Sequence, residues 1–223
     1  MSSTAKVVLV THYFPAKGGG VESVAFELAK RLIATGRVTI TWFASDTQAP
    51  PGLPGLCCHP VATWNLFERR FAIPWPLWKP LCSGNLWRAI GPADAVHIHD
   101  AVYPGNYIAA CLALLRRKPV IITQHIGFVP LGSRFLRWLI ALVNRFVAAP
   151  LLERAACVAF ISDAVRGYYA RLCRWRTPPC FIPNGVDTSL YRPASSAERG
   201  AARAALGLNE NDRVLIFVGR FVE

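Results

Sequence analysis

The chain has 223 residues, of which 53% are hydrophobic, and a formal net charge of +12 at pH 7. This length fits one ordinary domain plus a remnant, and the apolar content excludes a disordered protein. The positive charge is spread along the chain and comes mainly from arginine, which indicates a basic surface with affinity for phosphate or anionic lipid rather than for nucleic acid.

A short apolar strand, a glycine loop and a helix are predicted at the start of the chain. The aliphatic run at residues 7–10 is typical of a parallel strand buried on both faces, and from residue 21 apolar side chains recur at helical spacing. Between them lie Gly18, Gly19 and Gly20. Because glycine has no Cβ atom, their backbone N–H groups can approach an anion at the positive end of the helix; a flexible turn is the alternative interpretation.

A second strand is predicted at residues 38–44, and a long segment of different character follows over residues 46–92. Eight of the 17 prolines and four of the seven tryptophans lie between Pro50 and Pro92. Proline removes backbone donors from strand and helix interiors, so we expect this segment to leave the sheet as a long excursion. Its aromatic side chains either cover the sheet edge or form an acceptor-binding or membrane-facing surface.

Polar side chains then follow two predicted strands at the points where these strands end. One strand is predicted at residues 94–100, with two histidines on the same face, and the next at residues 119–125. A same-face His-x-His pair can bind a metal, but no third ligand is evident, and a structural histidine or a cap is the alternative at any single position. Open α/β sheets bind ligands at the carboxyl ends of their strands, so His99, Asp100 and His125 predict a cleft.

A long helix is predicted at residues 133–149, with arginines on a narrow stripe and large apolar side chains around the rest. This pattern suits a helix on a membrane surface, and equally a helix buried against the sheet whose arginines extend to solvent. A strand at residues 156–161, a helix at 163–174 with Ser162 as its N-cap, and a short strand and turn over 181–187 continue the β-α alternation. The alternation predicts an α/β fold with a doubly wound parallel sheet.

The character of the sequence changes again after residue 193. An Ala- and Arg-rich helix is predicted at residues 194–206, followed by a new buried strand at residues 214–219. We interpret this strand as the first of a second domain that is truncated here. The expected division is therefore a Rossmann-like domain over residues 1–193, and the linker helix and first strand of another domain over residues 194–223.

The cysteines and the apolar runs indicate a compartment. None of the seven cysteines forms a C-x-x-C pair, and the set fits neither a zinc site nor a disulfide framework, which indicates reduced thiols. The first apolar run is too short for a signal peptide, and Arg137 and Arg145 interrupt the longest apolar stretch. We therefore expect a cytoplasmic protein whose membrane contact, if any, is peripheral and on the cytoplasmic face.

Five short motifs follow one another along the chain: Gly18-Gly-Gly-Val-Glu22, His97-Ile-His-Asp100, Thr123-Gln-His125, Ile182-Pro-Asn-Gly-Val-Asp187 and Phe217-Val-Gly-Arg-Phe221. In this order and spacing they resemble the motifs of glycosyltransferase family 4. Each motif is weak evidence alone, whereas the ordered set covers nearly the whole chain. The resemblance implies a GT-B fold, in which two Rossmann-like domains face each other across a cleft. The N-terminal domain would hold mainly the acceptor, and the C-terminal domain mainly a nucleotide-diphosphate sugar.

The resemblance also implies roles for individual residues. It places Gly18, Gly19 and Gly20 near the donor phosphates and sugar, Arg220 on the diphosphate, and His125 beside the transferred sugar. The catalytic candidates are His125 and Asp100, and the candidates for the acceptor side or the cleft are Glu22, His99, Ser162 and Asn184. The implied reaction retains the anomeric configuration and needs no obligatory metal or other cofactor, in line with the lack of an Asp-x-Asp motif.

The implied partners are a nucleotide sugar and a sugar or lipid-linked acceptor used in cell-envelope polysaccharide or glycolipid synthesis. An anionic membrane surface is a further expected partner, because of the arginine stripe at residues 133–149. Two departures from the family pattern are Gly36-Arg37, where Gly-His is usual, and the position of the family's lysine and carboxylate pair beyond Glu223. The 223-residue stretch alone is therefore expected to be inactive. Two alternatives stay open: an inverting transferase with Asp100 or His125 as general base, and a non-enzymatic basic module that binds membrane or nucleotide.

Overall fold

The computed structural model describes residues 4–71, 75–79, 83–128 and 132–218. The chain divides into two compact units, Met1–Asn184 and Gly185–Glu223. The first unit contains a parallel β-sheet with helices packed against it, and the described part of the second contains a single helix.

The strands of the first unit form one large sheet and one small ribbon. They are β1 Ala5–Val10, β2 Val38–Ser45, β3 Leu56–Val61, β4 Thr63–Trp64, β5 Leu77–Trp78, β6 Ala95–His99, β7 Val120–Gln124, β8 Cys157–Phe160 and β9 Cys180–Phe181. The large sheet is parallel throughout, in the order β3-β2-β1-β6-β7-β8-β9, whereas β4 and β5 pair antiparallel. The chain extends to one side of β1 and then to the other, so the prediction of a doubly wound parallel sheet is confirmed.

The helices are α1 Gly20–Ala34, α2 Leu66–Phe71, α3 Ser83–Ile90, α4 Pro104–Leu115, α5 Arg134–Val143, α6 Ala149–Arg154, α7 Asp163–Ala170 and α8 Ser196–Ala205. Ser162 is the N-cap of α7, as predicted, because its Oγ accepts a hydrogen bond from the backbone N–H of Val165 at 3.3 Å. Most of the remaining predicted elements differ from the observed ones by only a few residues at their ends.

Two apolar clusters cover the two faces of the sheet. Val8 and Val10 of β1 belong to the cluster beneath α4, whereas Leu9, one residue between them, belongs with Trp42 to the cluster beneath α1. Side chains of a strand alternate between faces, so a strand covered on both sides needs an unbroken aliphatic run. The aliphatic run in β1 therefore correctly predicted a strand that is buried on both faces of the sheet.

The Pro- and Trp-rich segment leaves the sheet only in part. Leu56–Val61 forms the edge strand β3, in which Pro60 lies opposite Ala44 of β2. The expectation that the whole segment is an excursion was wrong here, because an edge strand tolerates a proline whose missing N–H needs no partner. Trp78 of β5 is buried against Gly105 at the start of α4, where a Cβ atom would overlap its indole ring. Trp78 therefore packs on α4, and neither covers the sheet edge nor forms an exposed surface.

The helix predicted at residues 133–149 is longer and irregular. A π-helical turn at Asn144–Ala148 joins α5 to α6. The wide turn accommodates Pro150, which has no N–H and whose ring collides with a preceding carbonyl in a regular helix. The continuous helix Arg134–Arg154 has 21 residues and is, by length and composition, apolar enough to cross a membrane. In the structure, 28% of its most apolar 18-residue stretch is buried. The interrupting arginines therefore do not exclude a span by composition, contrary to expectation.

The described part of the second unit buries very little. Ser195 and Glu198 form a reciprocal capping box at the start of α8, and Arg192 pairs with Glu198 at 2.7 Å. Residues 214–218 form no strand, and their side chains are 45–99% exposed. The prediction of a buried strand was wrong for this chain, because the described residues of this unit include no other strand that could pair with it.

Candidate functional site

The predicted strand-end residues meet at the point where the strand order reverses. Because β1 lies between β2 and β6, the loops that follow β1 and β6 leave the carboxyl edge of the sheet toward opposite sides. Open α/β sheets bind ligands in the crevice between such loops. Side chains from these loops, from the first turn of α1 and from the end of β7 converge there. They are His12, Glu22, Asp100, Tyr103 and His125.

His12, two residues after β1, is held from two sides. Its ring stacks on Tyr103, with centroids 3.7 Å apart and planes inclined by 5°. Its Nε2 lies 2.9 Å from Glu22 Oε1, a close polar contact that is not aligned as a hydrogen bond. Both side chains are almost fully buried, at 6% and 2% exposure. His12 therefore ties the loop after β1 to α1 and to the loop after β6.

The three glycines have three different structural roles. Gly18 has φ = 78°, in the left-handed region that favours glycine, and ends a short 3-10 helix at Pro15–Lys17. A Cβ atom on Gly19 would overlap the carboxylate of Glu22, whereas one on Gly20 would meet nothing within 4 Å. Gly19 is also the N-cap of α1 and provides no capping side chain. The turn therefore requires glycine at position 18, and internal packing requires it at position 19. Neither reason applies to Gly20, where a ligand bound at the uncapped helix end would explain the glycine.

Asp100 organises the loops after β6 and β7. It is fully buried and has φ = 68°, and its Oδ1 accepts hydrogen bonds from the backbone N–H groups of His125 at 2.8 Å and Ile126 at 2.9 Å. Burial raises the pKa of this carboxyl to about 7; the two hydrogen bonds act in the opposite direction, and nearby Glu22 raises it further. The second oxygen, Oδ2, is buried without a hydrogen-bond partner among the described residues.

Three histidines continue this network into the sheet. His99 Nδ1 lies 2.9 Å from His125 Nε2, and His97 Nε2 lies 2.9 Å from Thr123 Oγ1. The rings of His97 and His99 are 4.6 Å apart, which confirms that they share a face of β6. Burial lowers the pKa of His97 and of His125 to about 4 and that of His99 well below its usual value. All three imidazoles are therefore neutral near pH 7.

Buried amide side chains support these loops from below. Asn106 donates from Nδ2 to the carbonyls of His99 at 2.5 Å and Asp100 at 2.8 Å. Gln124 accepts from the backbone N–H of Ala101 at 3.0 Å and donates to the carbonyl of Ile126 at 2.7 Å. Both amides satisfy backbone groups that the strand ends leave unpaired, and so hold the left-handed turn at Asp100 in place.

The excursion contributes one residue to the loop after β1. Glu68 of α2 accepts a hydrogen bond from the hydroxyl of Tyr13 at 2.6 Å and pairs with the ammonium group of Lys17. Although partial burial raises the pKa of Glu68, the hydrogen bonds from Lys17 and Tyr13 outweigh it, and the pKa is lowered. Lys17 thus lies directly before the glycines and is held by a carboxylate that a bound anion could replace.

The other predicted site residues have different outcomes. Glu22 and His99 are buried: Glu22 contacts His12, which is itself buried, and His99 contacts the partly exposed His125. Ser162 is engaged as the cap of α7, and Asn184 is exposed at the end of the first unit. Arg220 lies outside the described residues.

Sequence reasoning did not identify His12, Tyr103, Asn106, Gln124 or Glu68 as parts of this site. His12 carried a usable signal, since it follows a buried strand just as Asp100 does. Tyr103 and Glu68 carried none, because only the tertiary fold brings them to the loop after β1.

The described residues contain no cluster suited to the metal that a His-x-His pair could bind. No three His, Cys, Asp or Glu side chains within them converge as metal ligands. An open groove between α4 and α6, lined in part by Tyr107, Leu115, Arg154 and Arg176, contains none of the predicted site residues.

The family model described as Glycosyltransferase Family 4 matches residues 18–190. Over 211 residues the chain is 24% identical to the GDP-mannose-dependent alpha-(1-6)-phosphatidylinositol monomannoside mannosyltransferase of two Mycobacterium tuberculosis strains, a match that covers 95% of this chain and 52% of that protein. The chain thus spans about half the length of the curated relatives it matches.

A solved structure has the same fold. Anabaena Alr3699/HepE, crystallised with UDP-glucose, superposes with a TM-score of 0.58 at 18% identity, over 91% of this chain and 50% of that one. At this identity the similarity shows the fold alone.

Proposed function

The chain belongs to glycosyltransferase family 4, and on this premise we propose that the protein transfers a sugar from a nucleotide-diphosphate sugar to an acceptor hydroxyl. One observation carries the proposal. The family match over residues 18–190 includes the residues that converge at the carboxyl edge of the sheet, among them Glu22, Asp100 and His125. A crevice at the switch point of a doubly wound sheet is where such folds bind their ligands.

The donor would lie at the start of α1. Its N-terminal N–H groups have no side-chain cap, Gly20 leaves open space, and Lys17 adds a positive charge directly before the glycines. Together these features suit phosphate oxygens. GDP-mannose is the first candidate, because the curated relatives are named for it, and their phosphatidylinositol mannoside acceptor suggests a lipid-linked acceptor of the cell envelope.

We propose retention of configuration without a protein nucleophile or an obligatory metal. In such a mechanism the protein positions both substrates and stabilises developing phosphate charge. His125, partly exposed at the crevice, would contact the transferred sugar, and the buried Asp100 would hold the loop that carries it. The inverting alternative needs a base within reach of the acceptor hydroxyl, and the burial of Asp100 speaks against that role.

We further propose that the protein, in the cytoplasm, contacts an anionic membrane through the helix Arg134–Arg154. The exposed side of this helix carries Phe135, Trp138 and Phe146, at 57–69% exposure, beside exposed arginines. Its other side is anchored in the core by Ala148, Leu151 and Leu152. A helix that is half core and half exposed aromatic and basic surface suits contact with a bilayer surface better than a span.

The test is a transfer assay on the full-length protein with a panel of nucleotide sugars that includes GDP-mannose, with and without EDTA, and with the product anomer assigned by NMR. We expect turnover that survives EDTA and retains configuration. Replacing His125 with Ala should lower kcat on the order of 100-fold, whereas His59→Ala on the edge strand serves as the control and should not. An inverted product would favour the base mechanism, and failure of every nucleotide sugar to bind or react would favour a non-enzymatic module.

A further inference from the structure

The hydrogen bond between His99 and His125 has one donor and one acceptor, and the structure indicates which ring is which. The two nitrogens are 2.9 Å apart, and the ring centroids are separated by 5.2 Å with planes inclined by 25°, as in a hydrogen bond made edge to edge. A neutral imidazole has one N–H and one acceptor nitrogen, so only one of the two rings donates. The choice determines which nitrogen of His125 carries its proton.

The surroundings of His99 determine which of the two rings donates the hydrogen bond. Its second nitrogen, Nε2, is buried and has no hydrogen-bond partner among the described residues, and the neighbouring His97 engages Thr123 instead. If His125 donated, the proton of His99 would lie on this Nε2 as an orphaned N–H. If His99 donates through Nδ1, only a lone pair is left without a partner. Buried N–H groups without an acceptor are the rarer defect in folded proteins.

Resting on the proposed function, we propose that His99 is a positioning residue that fixes His125 in the tautomer protonated on Nδ1. His125 then offers a hydrogen-bond donor to an oxygen of the donor sugar or phosphate and has no lone pair on that nitrogen to act as a base. Its backbone N–H is held by Asp100 Oδ1 at 2.8 Å, so the same residue is fixed at both backbone and ring. The lowered pKa values of both histidines agree with two neutral rings.

The direct test needs no substrate. In full-length protein labelled with ¹⁵N, two-bond ¹H–¹⁵N correlation spectra at pH 7 identify the protonated nitrogen of each imidazole. We expect a proton on Nδ1 of both His99 and His125, and an unprotonated Nε2 on both. A proton on Nε2 of His125 would overturn the proposal. Because this measurement does not depend on catalysis, it stands or fails separately from the proposed transferase activity.

Variants connect the tautomer to turnover. In His99→Asn the amide nitrogen can take the place of Nδ1 and donate to His125, so the tautomer should persist and kcat should stay within about threefold. His99→Leu removes the donor; the tautomer should become mixed and kcat should fall at least about tenfold, with a smaller change in KM. His97→Leu, the matched loss of a buried histidine on the same strand, should leave the tautomer of His125 unchanged.

Equal loss of kcat in folded His99→Asn and His99→Leu would overturn the positioning role, as would a changed His125 tautomer in His97→Leu. If His99→Leu does not fold, the wild-type spectrum and the His99→Asn variant still decide the question.

Discussion

Gly19 and Gly20 are neighbours, yet the structure gives them different reasons to be glycine. We predict that Gly19→Ala destabilises the fold by roughly 1–3 kcal/mol, because its Cβ would displace the buried carboxylate of Glu22 from His12. Gly20→Ala should leave stability unchanged or slightly higher, since its Cβ has open space in the first turn of α1. If donor phosphates approach Gly20, this variant should nevertheless raise the KM for the nucleotide sugar.

Thermal unfolding and donor titration of the two variants separate packing from binding. Because a Cβ atom on Gly19 would overlap Glu22, a loss of turnover in Gly19→Ala can arise from packing alone. Wild-type donor affinity in Gly20→Ala would mean that the helix end does not contact the ligand.

The buried titratable groups predict how stability varies with pH. In the folded protein the pKa values of His97, His99 and His125 lie below 6.5. The stability that these neutral histidines contribute is therefore present above about pH 6.5 and is lost as the pH falls toward 4. Asp100 has the opposite effect on stability. Its pKa is raised from 3.8 to about 7, so the stability that the protonated carboxyl contributes at low pH is lost as the pH rises through 7. Near pH 5 the unfolded chain thus binds more protons than the folded chain, because the three histidines outnumber the single carboxyl, so the free energy of unfolding should fall as the pH falls from 7 to 5.

Denaturant unfolding at pH 7, 6 and 5 measures this pH dependence for the wild type and for Asp100→Asn. The asparagine can still accept the two backbone hydrogen bonds at Oδ1 but cannot take up a proton, so the free energy of unfolding should fall more steeply with decreasing pH than in the wild type. An unchanged slope in a folded Asp100→Asn protein would show that this carboxyl titrates normally.

At the scale of single residues, the sequence predicted what depends on local order. His99, Asp100 and His125 could be placed together because polar groups at the ends of parallel strands share one edge of the sheet. Burial could not be predicted in the same way, and Glu22 and His99 proved to be buried. The side chains that shield them come from loops distant in sequence.

At the scale of elements, the helix Arg134–Arg154 carries the membrane proposal. We predict binding to anionic vesicles at low salt that weakens as salt screens the arginines. Basic residues near an anionic surface contribute about 1 kcal/mol each, so the triple replacement of Arg134, Arg137 and Arg145 by Gln should weaken binding roughly 100-fold. Liposome flotation at low and high salt measures both effects.

Matched variants separate aromatic insertion from charge. Trp138→Ser with Phe146→Ser should reduce binding at every salt concentration, whereas Leu115→Ser, which removes another exposed apolar side chain from α4, should not. If the wild type does not float with anionic vesicles at low salt, the exposed side of this helix has some other role.

The periodicity of this helix was visible in the sequence, but its extent was not. The prediction ended at residue 149, directly before Pro150, a residue type that breaks or kinks a regular helix. In the structure a π-helical turn before Pro150 accommodates this residue, and the helix continues to Arg154. The edge strand β3 was missed for a related reason, since the rule against proline in strands applies to central strands and not to edges.

At the scale of the whole molecule, the β-α alternation predicted the parallel sheet, and the ordered motifs predicted the family. Strand order could not be derived from the alternation alone, because the position of β3 beside β2 depends on pairing between distant segments. The expected strand at residues 214–219 had the right composition, but a strand exists only where a partner accepts its hydrogen bonds.

The two units differ in what they bury, and this leads to a prediction for the whole chain. The sheet and both apolar clusters lie within Met1–Asn184, whereas none of the side chains at residues 185–218 is buried. Since burial of apolar surface supplies most of the stability of a fold, removing residues 185–223 should change Tm by only about 2 °C or less. A chain that ends at residue 155 is the control and should not fold, because it lacks β8 with its buried Val158 and Phe160. Calorimetry of the three chains measures the difference, and a large loss of Tm in the chain of residues 1–184 would mean that the second unit stabilises the first.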